Sequence, residues 1–285
     1  MKFNPIIIER KIKQFIEEDC NFVDISSSTS IEDHSESSAR IIAKSSGYIS
    51  GLEEIGILFN LLDVSIEYLK KDGERVVESD IIATLKGPTQ SILLGERTAL
   101  NLLTHMSAIT TTTRSFVDLI KTSGKKVKIA CTRKTLPGLR IFEKKAVYLG
   151  GGETHRFSLD DMILLKDTHL RYYNGDVSAL LKKVKKKASF TKKIEIEIEK
   201  VPDVIKAAKN QADIIMLDNM SPNEVQDAIN LLKKNNLRDA VTIEVSGNIS
   251  IDNILNYVTL EPDIISSSEI TQFPSEKLDL SLKFD

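Results

Sequence analysis

Between residues 130 and 169, five cationic or titratable side chains stand at or near the ends of short apolar runs. VKIAC runs into Arg133 and Lys134, MILL runs into Lys166, and His155 and Arg156 sit between them in GGETHR. Arg offers a planar fork to a carboxylate or phosphate and Lys offers a point charge, so a mixed cluster suits a small ligand with several anionic groups.

A second set of residues is acidic. In IEIEIE, residues 194–199, the three isoleucines share one strand face and Glu195, Glu197 and Glu199 share the other. On an open antiparallel sheet the glutamates would simply face water. Inside a β/α barrel they would face the interior, where burying carboxylates is unfavourable unless cations answer them. Arg133, Lys134, Arg156 and Lys166 supply those cations, which favours the barrel, with Glu197 functional and Glu195 a structural partner. Asp218 ends the apolar run IIML just before a helix. It reads either as a turn aspartate or as a rim acid. Glu197 and Asp218 together could hold ribose hydroxyls or a divalent cation on a diphosphate.

Two late loops are rich in small residues. VSGNIS, residues 245–250, ends a strand and opens a helix whose free N–H groups would cradle a phosphate, and DIISSSEI at 263–270 gives a second such strand end. His169 reads as scaffold, His34 and His105 as structural, and Cys131 as a buried small hydrophobe. The four histidines do not make a zinc motif.

The elements that must position these residues follow from periodicity. Asn4–Glu18 predicts an amphipathic helix with Pro5 in its first turn, and residues 24–38 a Ser-rich loop. Residues 39–52 read as extended, 52–62 as helical, and SIEYLK and DIIATLKG as strands joined through the turn KDGE. A long helical region over 91–124 carries Thr110–Thr113, whose poor helix propensity predicts a junction near the domain boundary. From Lys126 onward six apolar runs alternate with helices, which predicts a parallel, barrel-like sheet. Ser221 and Ser250 are the expected N-caps of two of those helices. The fold class is therefore α/β: an N-terminal α/β sandwich over residues 1–108, then an incomplete, TIM-like β/α barrel over 109–271. The tail 272–285 is expected to pack back on the first domain.

Composition narrows the function. The chain has 285 residues, 41% of them hydrophobic, and a net charge of −2, so no global cationic field attracts nucleic acid. The basic run KKVKKKASFTKK has one aromatic and reads as a solvated helix face. Two cysteines exclude a disulfide framework. No signal peptide and no stretch of about 20 apolar residues is present, so a cytoplasmic protein without a membrane span is expected.

TRKTLPGLR, GGGETHR, LLKDTH, IEIEIE, MLDNMSP and VSGNIS, with GERTALNLLTHMSAITTTT before them, together resemble quinolinate phosphoribosyltransferase over nearly the whole chain. That resemblance implies transfer of phosphoribosyl from phosphoribosyl pyrophosphate to quinolinate with decarboxylation, Mg²⁺ as cofactor and a homodimer or an oligomer of dimers. It assigns the pyridine dicarboxylate to Thr132, Arg133, His155, Arg156 and Lys166, with Arg97 supplied by a neighbouring subunit. Lys134, Glu197 and Asp218 would be catalytic, the two acids also facing Mg²⁺. Ser246, Gly247, Asn248, Ser267 and Ser268 would take the 5′-phosphate. The chain departs from the family pattern at Thr154, Thr168, Asn248 and Ser268–Gln272. A paralogue acting on another aromatic acid such as nicotinate, or a non-catalytic acid-binding protein, therefore stays open at this point.

Overall fold

The computed structural model describes residues 1–285, which divide into two compact units. The first comprises Met1–Arg114, Lys145–Gly151 and Pro274–Asp285, and the second Ser115–Lys144 and Gly152–Phe273. The two units divide between Arg114 and Ser115, inside a helix and a few residues beyond the 108/109 boundary expected from the sequence. Residues 145–151, assigned to the barrel, cluster with the first unit instead.

In the first unit α1 (Pro5–Asp19) starts at Asn4, whose side chain accepts the Ile6 N–H, and it buries Ile8 and Ile12. The Ser-rich loop is more ordered than its composition suggests. Asp24 caps a short helix α2 (Ile25–Ser30) by accepting the N–H groups of Ser26 and Ser27, and β1 (Glu36–Ala43) begins within the same stretch. Then follow β2 (Gly47–Tyr48), α3 (Leu52–Leu61), β3 (Ser65–Tyr68), β4 (Arg75–Val76) and β5 (Ile81–Pro88). The last strand of the chain, β12 (Leu280–Phe284), adds antiparallel to β1, giving a sheet in the order β12-β1-β5-β3. Its core-facing positions are small or branched, Ala39, Ile41 and Ala43 from β1 with Ala83 and Leu85 from β5.

The helix α4 (Thr89–Thr122) runs without a break, so the junction expected at Thr110–Thr113 is absent. All four threonines are buried and their hydroxyls are used. Thr113 donates to Ile109 O at 2.7 Å and Thr110 meets both Ser50 Oγ and Ala146 O. Thr111 accepts the Tyr48 N–H and Thr112 the Glu276 N–H. Tertiary hydrogen bonds outweigh the few tenths of a kcal/mol each threonine costs a helix.

The second unit carries the six expected strands: β6 (Lys128–Cys131), β7 (Ile163–Leu165), β8 (Ile194–Ile198), β9 (Ile214–Asp218), β10 (Thr242–Ser246) and β11 (Ile264–Ser267). They form one parallel sheet in the order β6-β11-β10-β9-β8-β7. Its helices are α6 (Asp167–Tyr172), α7 (Val177–Lys187), α8 (Asp203–Lys209), α9 (Pro222–Lys234), α10 (Ile254–Val258) and α11 (Glu269–Gln272), while α5 (Arg140–Leu149) starts in this unit and its residues from Lys145 belong to the first. The unit is an incomplete β/α barrel. Its edge strands β6 and β7 do not pair with each other, and between them only Glu153 bridges to β6, through Cys131 N to Glu153 O at 3.0 Å and Glu153 N to Ile129 O at 2.8 Å. Ser221 does cap α9, in a box with Glu224. Ser250 does not cap α10: that helix starts four residues later, and the Asn253 side chain accepts the Ser250 N–H.

Candidate active site

The C-terminal strand ends of the second unit enclose a cavity of about 550 Å³. The edge strands and the segment between them supply its cations: Arg133 and Lys134 follow β6, Lys166 follows β7, and His155 and Arg156 lie on the open seam. The four strands between supply its acids and its small polar loops. The cavity is therefore divided, cationic at the seam and acidic to hydroxylic along the continuous arc.

On the cationic side, the Thr132 hydroxyl accepts the Lys134 N–H at 3.1 Å and Thr271 donates to Lys134 O at 2.9 Å, which fixes the turn that presents Arg133 and Lys134. Arg133 Nε is buried without a hydrogen-bond partner. Arg156 is 7% exposed and anchored through Nη1 to Met162 O at 3.3 Å. Burial and the neighbouring Arg133 both push its pKa down. Lys166 Nζ lies 2.5 Å from Glu197 Oε1, and the Lys166 N–H donates to His169 Nδ1 at 3.0 Å, so His169 shapes the start of α6.

On the acidic side, Glu197 and Asp218 line the cavity from adjacent strands. Burial raises both carboxyls; Lys166 opposes the rise in each, while Asp218 adds to it for Glu197. Glu195, one interior layer below, is fully buried, as is Glu244 on β10. Their Oε2 atoms lie 3.4 and 3.3 Å from His155 Nε2. His155 itself sits in the left-handed region at φ 51°, and its Nδ1 accepts the Arg156 N–H at 2.7 Å. Burial works against charging the imidazole, but the two carboxylates outweigh it and raise its pKa to about 9. The three side chains offer ligand atoms within 4.8 Å of one another.

The two loops differ from expectation. Ser246, Gly247 and Asn248 line the cavity, but α10 begins only at Ile254, so no helix opens directly from that loop; Ser267 and Ser268 also line it, and the short α11 follows at Glu269. The loop backbone is held instead by side chains. Gly247 has φ 99°, and a Cβ there would fall 2.4 Å from Asn219 Oδ1, so the position requires glycine. Asn248 Nδ2 donates to Asn219 Oδ1 at 3.3 Å, and Ser267 Oγ donates to Ile249 O at 2.6 Å. Glu269, an acid beside a phosphate loop in the sequence, is absent from the lining, and its carboxyl accepts a backbone hydrogen bond from Ile251.

Arg97 is exposed on α4 in the first unit and does not line the cavity. Two residues escaped the sequence reading. Glu244 had a signal, since VTIEVS has the same alternation as IEIEIE. Lys144 had none, being one of two adjacent lysines in a helix. It is fully buried, with Nζ 3.6 Å from Cys131 Sγ and hydrogen-bonded to Thr154 O, so it ties the end of β6 to the seam segment.

An incomplete β/α barrel with strand-end cations facing carboxylates defines an enzyme site for a small, multiply anionic substrate. Residues 24–107 match the N-terminal and residues 109–283 the C-terminal domain of quinolinate phosphoribosyl transferase. The chain is 44% identical over 245 residues to the probable nicotinate-nucleotide pyrophosphorylase (carboxylating) of Archaeoglobus fulgidus, covering 86% of this chain and 93% of that protein. With the human nicotinate-nucleotide pyrophosphorylase (carboxylating) it shares 31% over 279 residues, 98% and 92% of the two chains. The solved structure of the nicotinate-nucleotide pyrophosphorylase from Francisella tularensis superposes with a TM-score of 0.91 at 34% identity, covering 100% of this chain and 98% of that one. This chain belongs to the quinolinate phosphoribosyltransferase family.

Proposed function

We propose that this chain transfers the phosphoribosyl group of phosphoribosyl pyrophosphate to the ring nitrogen of quinolinate with loss of CO₂, giving nicotinate mononucleotide and diphosphate for NAD synthesis. The observation that carries this reading is the division of the cavity. A dicarboxylate fits the seam, where Arg133, Arg156 and Lys166 converge, and a phosphorylated ribose fits the arc of Glu197, Asp218 and the serine loops. Unpartnered polar atoms, Arg133 Nε and Ser266 Oγ, support each half.

The residues act mainly by positioning. The cations neutralise the dicarboxylate and aim its nitrogen at the ribose, which removes much of the entropic barrier. The carbon under attack gains oxocarbenium character, and carboxylates at its face stabilise that charge. Glu197 and Asp218 fill this role, while Lys134 meets the leaving diphosphate. The bond from the ring to the departing carboxylate then breaks, its electron pair is held on the ring carbon beside the positively charged nitrogen, and that carbon takes a proton from water as CO₂ leaves.

Mg²⁺ fits the donor set. Glu197 and Asp218 are hard oxygen donors, both raised by burial, and a small cation shared with a diphosphate would relieve them. When bound, it would neutralise charge on the diphosphate.

We further propose a cytoplasmic homodimer, or an assembly of such dimers, in which the exposed Arg97 of one copy completes the acid site of the other. No helix is long and apolar enough to cross a membrane. Incubation with phosphoribosyl pyrophosphate, Mg²⁺ and either quinolinate or nicotinate, following mononucleotide and CO₂, tests the main reading. Absence of product from quinolinate rejects it, and product from nicotinate alone replaces it.

A further inference from the structure

We propose that Glu244 and Glu195 are positioning residues for the acid substrate, acting together as a clamp on His155. This rests on the proposed function for its consequence but on geometry for its existence. The two glutamates come from β10 and β8, the strands on either side of β9. In the registers, Glu244 is level with Met216 and Glu195 with Ile214, so they occupy successive interior layers and converge across β9. Neither carboxylate has any exposure. All four of their oxygens lack a conventional hydrogen bond, and the only cationic partner within 4 Å of either is His155 Nε2.

Desolvating two neighbouring carboxyl groups is costly and pushes the Glu195 carboxyl up, so the pair leans on the imidazole that they share. What depends on it here is the seam. His155 and Arg156 belong to a segment with no strand partner beyond the single bridge at Glu153. His155 holds a left-handed backbone, uncommon outside glycine, which an outside restraint helps to keep in place. Nε2 held between carboxyl groups of two strands supplies that restraint, and Arg156 follows His155 directly. The same layer is approached from below. A second cavity of about 310 Å³, lined by Lys128, Met162, Ile214 and Ile264 near the strand starts, also reaches His155, Arg156 and Glu244. The groups of that layer meet one another between the two cavities, where His155 Nε2 is the cation nearest to both carboxyl groups. The groups facing the imidazole are Glu195 and Glu244, with Arg156 adjoining.

The test compares Glu244→Met, which keeps the length but removes the acceptor, with Glu244→Gln, which keeps an amide oxygen to accept from Nε2. Imidazole nitrogen NMR, assigned with His155→Gln, should find His155 of the wild type protonated at Nε2. That signal should move in E244M and persist in E244Q. Quinolinate affinity by calorimetry should fall tenfold or more in E244M and stay within about threefold in E244Q, with phosphoribosyl pyrophosphate affinity unchanged in both. The clamp is overturned if His155 lacks a proton on Nε2, if E244M binds quinolinate like the wild type, or if it weakens both ligands alike. Should E244M not fold, the wild-type spectrum and E244Q decide. If the proposed function itself were wrong, the wild type would bind no quinolinate, and the response of the His155 signal to E244M and E244Q would still decide the clamp.

Discussion

Lys166 Nζ sits 2.5 Å from Glu197 Oε1, so the cation at one edge of the cavity is already answered by the carboxylate of the neighbouring strand. An incoming dicarboxylate must share Lys166 with Glu197 or displace it. Lys166→Ala should weaken quinolinate binding by about 1.5–3 kcal/mol, the range for a charge-assisted contact. Glu197→Gln should leave that affinity unchanged or raise it up to about tenfold, by releasing Lys166, yet lower turnover by roughly 10²–10³ through loss of electrostatic stabilisation. Calorimetry with quinolinate alone, beside steady-state rates, separates the two effects. Equal losses of affinity in both variants would refute the competition.

His155 makes stability depend on pH. Its folded pKa is raised to about 9 from 6.5, so the folded state holds the proton more tightly than the unfolded chain. The contribution is complete below about pH 6.5 and is lost as pH rises through about 9. A rise of that size is worth at most about 3.4 kcal/mol. The advantage of the wild type over His155→Gln in urea unfolding should shrink between those pH values. A constant difference would show that the imidazole does not gain its proton on folding.

Gly247→Ala should strain the serine loop, because its φ of 99° disfavours a side chain and Asn219 occupies the space. A loss of about 1–3 kcal/mol is expected, together with weaker phosphoribosyl pyrophosphate binding and unaltered quinolinate binding. Thermal unfolding and calorimetry read the two. An alanine variant that binds phosphoribosyl pyrophosphate normally would remove this loop from the phosphate site.

Arg97 and Lys134 test the shared site. In a two-fold dimer with composite sites, a heterodimer of Arg97→Ala and Lys134→Ala has one doubly defective and one intact site. Random remixing of the two inactive variants should recover about a quarter of wild-type activity, since about half the dimers are mixed and each keeps one site. Mixtures that stay inactive after verified subunit exchange would place each site within one chain.

Local chemistry already determined much of this. The six apolar runs, the alternation of IEIEIE and the cations closing VKIAC and MILL were legible because strand parity and strand-end position are set by adjacent residues. What escaped depends on partners far away in the chain. Thr110–Thr113 stay helical because buried hydroxyls find Ser50, Ala146, Tyr48 and Glu276, which no local propensity encodes. Lys144 carries no local signal and is buried against Cys131 and Thr154, which other segments bring beside it. Glu269 lies next to a serine loop in the sequence, yet its carboxyl is engaged by the Ile251 backbone and does not line the cavity. The grip of Glu195 and Glu244 on one imidazole exists only where β8, β10 and the seam close on a common interior. Sequence spacing specifies which face a side chain takes; the packing of distant strands decides what it meets there.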